Sequence, residues 1–250
     1  MVVGAAVLQG NVNLGVDLDL ALNIVSAGYT FEKKVLGAAY SIGAAVPFGR
    51  ASLEATVALE GGGSRSANGD SINIGDIAVL PLELTWTFGD YLSLQFGQAI
   101  YVPTGGYDDD KVVNVGLNRW GFDTTLSTTY FNLETGTEFS LAPGILFNTE
   151  NNDTDYDTGT EFHIDVTVNQ FLSESFALGL RGYYYNQISD DSGGRLGGFQ
   201  GESGGLGPGF VWFPKPGGGN IAILGKWIRD IDATRRFESD YVSLTGAWTF

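Results

Sequence analysis

The sequence contains no cysteine and only one histidine and one methionine. Without cysteine, the chain has no disulfide, no thiolate metal site and no cysteine nucleophile. Charged residues are also scarce, at 17% of the 250 residues, below the roughly 25% of an ordinary soluble domain. The charges are unbalanced, because 13 Lys and Arg stand against 29 Asp and Glu, for a net charge of -16. Such a chain repels phosphate backbones, so we expect no nucleic-acid partner.

Long apolar runs are missing as well. The longest uncharged stretches, such as Val35 to Gly49 and Tyr91 to Tyr107, are interrupted by Gly, Pro and polar residues. A membrane-spanning helix needs about 20 mostly apolar residues, so none is predicted. Met1 to Leu8 is apolar but has no basic residue, which does not match a signal peptide. We expect that a signal peptide has been removed and is absent from this chain.

Glycine is abundant, with 37 residues, aromatic residues make up 13%, and apolar residues recur at every second position. From Val12 to Ile24, every even position is apolar and the residues between are polar or small. Successive side chains of a strand point to opposite faces, so this pattern predicts strands with one apolar face. The run also exceeds the usual soluble strand of about 5–6 residues and suits a tilted membrane strand.

The same alternation predicts twelve strands, at 11–25, 35–46, 51–60, 72–88, 91–101, 120–132, 137–148, 160–170, 175–187, 199–213, 220–231 and 240–250. Tight turns are predicted at Pro47 to Arg50, Gly89 to Asp90, Leu133 to Gly136, Phe171 to Glu174 and Pro214 to Gly219. Longer polar loops are predicted between them, at Gly61 to Ser71, Val102 to Arg119, Thr149 to Gly159, Ile188 to Gly198 and Asp232 to Ser239.

Short turns on one side and long loops on the other are typical of an outer-membrane barrel. The sequence therefore predicts an all-β fold, a single transmembrane antiparallel up-and-down β-barrel of about 12 strands over residues 1–250. An even strand number predicts both termini on the short-turn, periplasmic side. A secreted β-sandwich also alternates, but its polar face would carry many Lys and Glu. Here that face is mostly Asn, Ser, Thr, Gly and Tyr.

The second half of the chain, from about residue 70, resembles outer-membrane proteins associated with the meta-pathway of phenol degradation. The matching stretches are Asn114 to Trp120, Gly144 to Gly159, Glu161 to Asp165, Gln170 to Ser173, Gly182 to Gln187 and Lys226 to Asp230. The resemblance implies a barrel channel in the bacterial outer membrane that admits hydrophobic or aromatic compounds. The ending, Tyr241 to Phe250, resembles the carboxy-terminal signal of outer-membrane proteins. This resemblance implies that the outer-membrane assembly machinery recognises Phe250. Outer-membrane lipids and lipopolysaccharide are the other expected partners.

Alternation assigns a polar set of side chains to the lumen. These pore-lining candidates are Glu138, Asn148, Glu161, His163, Asp165, Arg181, Tyr183 and Tyr185, whereas Tyr184 is expected on the lipid side. A turn centred near residue 172–173 would set Arg181 opposite residues 163 to 165, where it would pair with carboxylates. The long segment from Val102 to Arg119 is expected to fold inward as a constriction that holds Asn114, Asn118 and Trp120.

Catalytic and metal chemistry are weakly indicated. A Ser-His-Asp arrangement would need His163, but no phospholipase-like or protease-like motif accompanies it, so we expect no enzyme and no catalytic residue. Asp153, Asp155 and Asp157 resemble a calcium loop, but the glycine and glutamate of an EF-hand are misplaced. A looser acidic site there stays open as an alternative, and no cofactor is expected. Aromatics near the short turns, Trp86, Phe88, Phe210, Trp212, Phe213 and Trp248, are expected to form an interface girdle.

The leading function is a passive outer-membrane channel for a small solute, hydrophobic or aromatic. A structural or adhesive barrel with an occluded lumen is the alternative, and an outer-membrane hydrolase is the third hypothesis. A lumen lined by polar and aromatic groups favours the channel, and one crossed by Glu–Arg pairs favours the structural barrel. A serine within hydrogen-bond reach of His163 would favour the hydrolase.

Overall fold

The computed structural model describes residues 12–59, 64–194, 198–215 and 220–250. Its twelve strands are β1 (Val12–Val35), β2 (Ala38–Leu59), β3 (Ser64–Ile74), β4 (Ile77–Phe88), β5 (Leu92–Val102), β6 (Gly121–Asn132), β7 (Thr137–Asn148), β8 (Glu161–Ser173), β9 (Phe176–Gln187), β10 (Glu202–Trp212), β11 (Ile221–Thr234) and β12 (Asp240–Trp248). Within these ranges, no helix is long and apolar enough to cross a membrane. Met1 to Leu8, the segment without signal-peptide character, lies outside the described residues.

From β5 onward, each predicted strand has its counterpart, and the bounds differ by a few residues at most. Every ladder in this part is antiparallel and joins strands that are consecutive in the chain. The alternating pattern explains the agreement, because a one-residue slip in register would turn the apolar side chains of a strand to the polar face of the sheet.

The amino-terminal part differs from the prediction. β1 runs unbroken through the expected connection at residues 26–34 and turns at Leu36 and Gly37. Both turn residues have positive φ, 52° and 80°, as a two-residue hairpin turn with the favoured twist requires. Leucine is unusual in that conformation, so no local sequence signal marked this turn.

The predicted turn at Pro47 to Arg50 is wrong, because these residues lie inside β2. Beyond Ala45, the partner of β2 changes from β4 to β3, and the break between those two strands falls at Gly75 and Asp76. Pro47 faces that break, and its carbonyl accepts the Gly75 N–H at 2.8 Å. A proline, which has no N–H, is tolerated here because the ladder is interrupted on that side. The predicted loop Gly61 to Ser71 likewise contains most of β3.

β3 and β4 therefore follow β2 as one interrupted strand, and the hydrogen-bonded order is β1, β2, then β4 to β12, with β3 beside β2. Ten antiparallel ladders separate β1 from β12, so these two strands run in the same direction. β12 ends at the short-turn end, as predicted, but β1 begins at the loop end, where Val12 pairs with Leu59. The expectation that both ends of the strand series lie at the short turns is wrong for β1.

The sheet curls, and one face lies inside the curve. On that face, side chains reach partners two strands away, although such strands are about 10 Å apart in a flat sheet. His163 on β8 bonds to Asp123 on β6, and Tyr183 on β9 bonds to Asp230 on β11. On the other face, contacts such as Phe162 with Tyr184 join adjacent strands. We call the first face inward and the second outward.

Candidate functional site

The loop end of the inward face is organised around Arg119, the residue that precedes Trp120 and β6. Its Nε donates to Asn148 Oδ1 at 3.1 Å, and its Nη1 donates to Thr158 Oγ1 at 2.7 Å. Its Nη2 lies 3.8 Å from Glu161 Oε1, an oxygen that also accepts from Asn148 Nδ2 at 3.1 Å. The Arg119 guanidinium thus joins two predicted lumen residues, Asn148 and Glu161. Arg119 itself was not among the residues predicted from the sequence.

A second guanidinium reaches the same place from the β11–β12 connection. Arg236 lies over the ring of Tyr185, with 3.6 Å from its Cζ to the ring centroid. Tyr185 pairs with His163 in the β8–β9 ladder and shares a face with Glu161. The loop end of the inward face therefore combines two Arg residues, one Glu and one aromatic ring.

His163 has carboxylate neighbours. Its Nε2 is 3.0 Å from Asp123 Oδ1, and its Nδ1 is 3.9 Å from Asp165 Oδ2. The imidazole lies over Gly144, its partner on β7, where any added Cβ would overlap the ring. A histidine paired with two carboxylates, with no serine among its described hydrogen-bond partners, lacks the nucleophile of a Ser-His-Asp hydrolase.

Nearer the middle, Tyr183 pairs with Asp165 in the β8–β9 ladder and donates its hydroxyl hydrogen to Asp230 on β11. Asp230 is buried and also accepts from Ser239 N and Ser239 Oγ, at 2.8 and 2.9 Å. Tyr184, the residue between the two inward tyrosines, points to the outward face and donates to Glu202 at 2.8 Å. The three consecutive tyrosines thus alternate between the faces.

Arg181 has a different partner from the one predicted. It lies opposite Thr167, not residues 163 to 165, because β8 extends to Ser173 and the turn falls at Glu174 and Ser175. Its Nη1 donates to Asn169 Oδ1 at 2.8 Å, and Asn169 Nδ2 donates to Glu138 Oε2 at 2.9 Å. The expected Arg181 pair with the β8 carboxylates is therefore wrong, and a buried amide stands between the Arg and Glu138.

The segment between β5 and β6 does not gather Asn114, Asn118 and Trp120 at one point. Asn114 bonds to Asp108 within its own loop. Asn118 donates to Asn151 and Asp153 of the next long loop, at 3.0 and 2.7 Å. Trp120 is 42% exposed and stacks on Phe122, an outward residue. Trp120 is therefore not an inward residue, whereas a constriction formed by the rest of the segment stays a prediction. Asp76 fastens the segment beside β4 by accepting from Gly105 N and Leu117 N.

Side-chain hydrogen bonds also link the loops at this end. Asp191 is buried and accepts from the Tyr156 hydroxyl, the Gln187 amide and Gly159 N. Burial, followed by the hydrogen bond to Asp191, raises the pKa of the Tyr156 hydroxyl above its ordinary value of 10.0. The β7–β8 and β9–β10 connections are thus held together by a buried carboxylate.

The weaker metal hypothesis has little support in this geometry. In the Asp153, Asp155 and Asp157 loop, the Asp153 carboxylate is occupied by Asn118. Among the described residues, the carboxylates close enough together to share a cation are those of Asp108, Asp109 and Asp110, all exposed. Exposed acidic clusters are common without a cation, so neither loop is assigned as a site.

Sequence reasoning missed Arg119, Asp123, Asn169, Asp230 and Arg236. Alternation on β8 extends to Asn169 and could have found it. Around Asp123 the alternation of β6 is poor, and on β11 the apolar Ile228 shares the face of Asp230. Arg119 and Arg236 lie in connections, where no periodicity applies. Phe213 is a further correction, because its ring stacks on Phe171 of the inward face instead of joining an outward girdle.

Comparisons with known proteins agree with this architecture. The chain is similar to the crystal structure of an outer membrane channel from Pseudomonas putida F1, with a TM-score of 0.63 and 13% identity over 95% of this chain and 94% of that one. The prediction of an all-β, antiparallel outer-membrane barrel fold of twelve strands is thereby confirmed. No curated protein matches the chain. A model of the family described as "MetA-pathway of phenol degradation" matches residues 5–246, and the chain therefore belongs to that family.

Proposed function

We propose that the protein is a passive channel of the bacterial outer membrane for small hydrophobic or aromatic molecules. The observation that carries the proposal is the inward face, which bears polar and aromatic side chains from the loop end to the turn end. Among the described residues, one Arg–Glu ion pair spans it, Arg119 with Glu161. An occluded structural barrel would need such pairs throughout its length. The similar structure from Pseudomonas putida F1 is described as a channel.

The outward face supports the membrane location. Its large apolar side chains are exposed along strand after strand, including Leu126, Val168, Leu180, Leu206 and Val242. A soluble monomer rarely exposes a contiguous apolar surface of this extent. Lipid would cover it, as it covers the apolar band of outer-membrane barrels. Outer-membrane lipids and lipopolysaccharide are then partners of this surface.

The charge arrangement favours cations and neutral solutes over anions. Among the described residues, the inward face carries the carboxylates of Glu83, Asp123, Glu138, Glu161, Asp165 and Asp230 against the cations of Arg119, Arg181, Lys226 and Arg236. The Asp165 side chain is 62% exposed, so a solute in the lumen would meet it directly.

Planar-bilayer recording tests the proposal, with reversal potentials measured under a salt gradient. Asp165→Ala should lower cation selectivity, and Arg181→Ala should raise it. Glu202→Ala is the matched control, because it removes a carboxylate from the outward face. A folded protein that neither conducts ions nor passes small aromatic solutes into vesicles would be the structural barrel instead.

Phe250 tests the proposed partnership with the outer-membrane assembly machinery. Its side chain is 97% exposed, so its deletion removes little packing. We expect the deletion to lower outer-membrane abundance in cells while leaving refolding yield in detergent nearly unchanged. Equal abundance of the deleted and intact chains would contradict the role of Phe250 as an assembly signal.

A further inference from the structure

Three phenylalanine rings meet on the inward face at the turn end. Phe131 lies next to the end of β6, Phe171 lies near the end of β8, and Phe213 follows β10. The ring centroids of Phe131 and Phe171 are 5.1 Å apart, and those of Phe171 and Phe213 are 6.5 Å apart with nearly parallel planes. All three rings are half-buried. We call this cluster the aromatic triad.

Small residues on the intervening strands allow the three rings to meet. Ala177 on β9 is fully buried and pairs with Phe171 on one side and Val211 on the other. Gly136, with φ of 68°, lies before β7, and a Cβ there would come within 3.1 Å of Phe171 Cβ. Larger residues at these two positions would separate the rings, so the triad is a continuous apolar surface that spans five strands.

A polar group borders the triad on its lumen side. Asn169 lies two residues before Phe171 and therefore on the same face, about 7 Å along the strand. It links Glu138 and Arg181 through hydrogen bonds of 2.9 and 2.8 Å. We call Glu138, Asn169 and Arg181 the polar trio. A guanidinium has five N–H donors, and the two hydrogen bonds of Arg181 in the structure both use Nη1.

We propose that the aromatic triad and the polar trio form a binding site for a neutral planar arene that carries one hydrogen-bonding substituent. The arene ring packs against Phe171 and its two neighbours, because offset or edge contacts between rings are favourable. The substituent reaches the polar trio, where Arg181 donates to an oxygen and Glu138 accepts from a hydroxyl. The inference rests on the proposed channel function for the route by which the ligand arrives, since the site is reached from the lumen.

Equilibrium binding to the folded protein in detergent micelles tests the site, with para-fluorophenol and para-fluorotoluene as probes. The two molecules have nearly the same shape and differ in one hydroxyl, and fluorine NMR titration reports their affinities. Phe171→Ala should weaken fluorophenol binding about twofold to twelvefold, the range expected for loss of ring–ring contact. Phe171→Leu keeps an apolar side chain, so it provides a second variant if the alanine variant folds poorly.

Phe210→Ala is the matched control. Phe210 stacks on Phe176 at 6.4 Å, near the same end of the barrel but on the outward face. The Phe210→Ala variant should bind both probes as tightly as the unmodified protein does. Its titration also measures how much of each probe partitions into the micelles. Arg181→Met should reduce the preference for fluorophenol over fluorotoluene, because only the Glu138 contact to the hydroxyl remains, and should leave fluorotoluene binding unchanged.

Equal binding by the Phe171 and Phe210 variants would overturn the proposed site. Full retention by Arg181→Met of the preference for fluorophenol would overturn the role of Arg181 in the polar trio. Bilayer conductance of the same preparations separates this inference from the proposed function. Conductance without site-specific binding would support the channel function and contradict the binding site. Binding without conductance or flux would support the binding site and contradict the channel function.

Discussion

The outward and inward faces of the wall use alternate residues of the same strands, yet they are stabilised in different ways. On β6, Leu126 is 48% exposed on the outward face, whereas Asp123 and Thr129 on the inward face bond to His163 and Ser140. An apolar surface against lipid tolerates any apolar side chain of similar size and rejects charge. An inward network tolerates charge but depends on particular partners. Variants at matched positions on the two faces therefore test this difference.

The largest effect is expected from a charge placed on the outward face. Leu126→Arg near the middle of β6 should cost about 2–4 kcal/mol, the value for an arginine at the bilayer midplane. Ser127→Arg, the next residue, places the same charge at the same depth on the inward face and should be tolerated. Urea titration of refolding into lipid vesicles measures both. Equal loss of stability would contradict the assignment of faces.

The second effect concerns the loss of a buried inward partner. Asn169 is only 2% exposed, and Asn169→Ala removes its bonds to Arg181 and Glu138. Two charged groups then lose a buried partner, so we expect a cost of about 1–3 kcal/mol. Gln170→Ala is the control, because the next residue also donates hydrogen bonds but is exposed. A similar loss of unfolding free energy in both variants would show that burial of the network does not contribute to stability.

The third effect tests how closely the inward side chains pack. Gly144→Ala would push a methyl group into His163, and overpacking of this kind costs about 1–3 kcal/mol. Gly97 flanks the same residue of β6, Thr125, from the other side, but a Cβ there has no atom within 4 Å. Gly97→Ala should therefore be neutral in the same unfolding titration. A neutral Gly144→Ala would mean that the imidazole moves freely.

The smallest effect extends the contrast to the loops. Tyr156→Phe removes the hydroxyl that Asp191 accepts from, at a cost of about 1 kcal/mol. Because the pKa of Tyr156 is raised in the folded state, this stabilisation is complete below pH 10 and is lost as the pH rises toward the raised value. Protease cleavage of the loops should accelerate above pH 10 in the unmodified protein, in the Tyr107→Phe control and, less steeply, in Tyr156→Phe. Identical pH profiles for all three would exclude Tyr156 as the sensitive group.

The sequence predicted β5 to β12 well because each strand pairs with its neighbour in the chain and keeps its apolar residues on one face. The same rule failed before Gly75. The apolar residues change from even to odd positions at Ile24 and Val25, residues 32–34 are all charged, and residues 44–48 are all apolar. Alternation therefore does not reveal the full length of β1 or of β2. The change of partner along β2, which makes Pro47 tolerable, is a property of the sheet and not of the local sequence.

The sequence predicted which residues of the candidate site share one face of the sheet, but it did not predict their hydrogen-bond partners. Glu161, His163 and Asp165 were placed together by period alone. The partners of Arg181 were missed because β8 continues to Ser173, which moves the turn and shifts every opposing pair. Arg119 and Arg236 were missed because loops have no period from which a direction can be read.

The amino-acid sequence alone is enough to predict that the chain forms strands with one apolar and one polar face, and that its short turns and long loops lie mostly at opposite ends. Side-chain period and turn chemistry are local properties, so they can be read without coordinates. Only the tertiary structure decided which inward groups meet, such as His163 with Asp123, or Phe171 with Phe131 and Phe213. Those contacts depend on register and on the curl of the sheet, which brings together side chains from strands that are not neighbours.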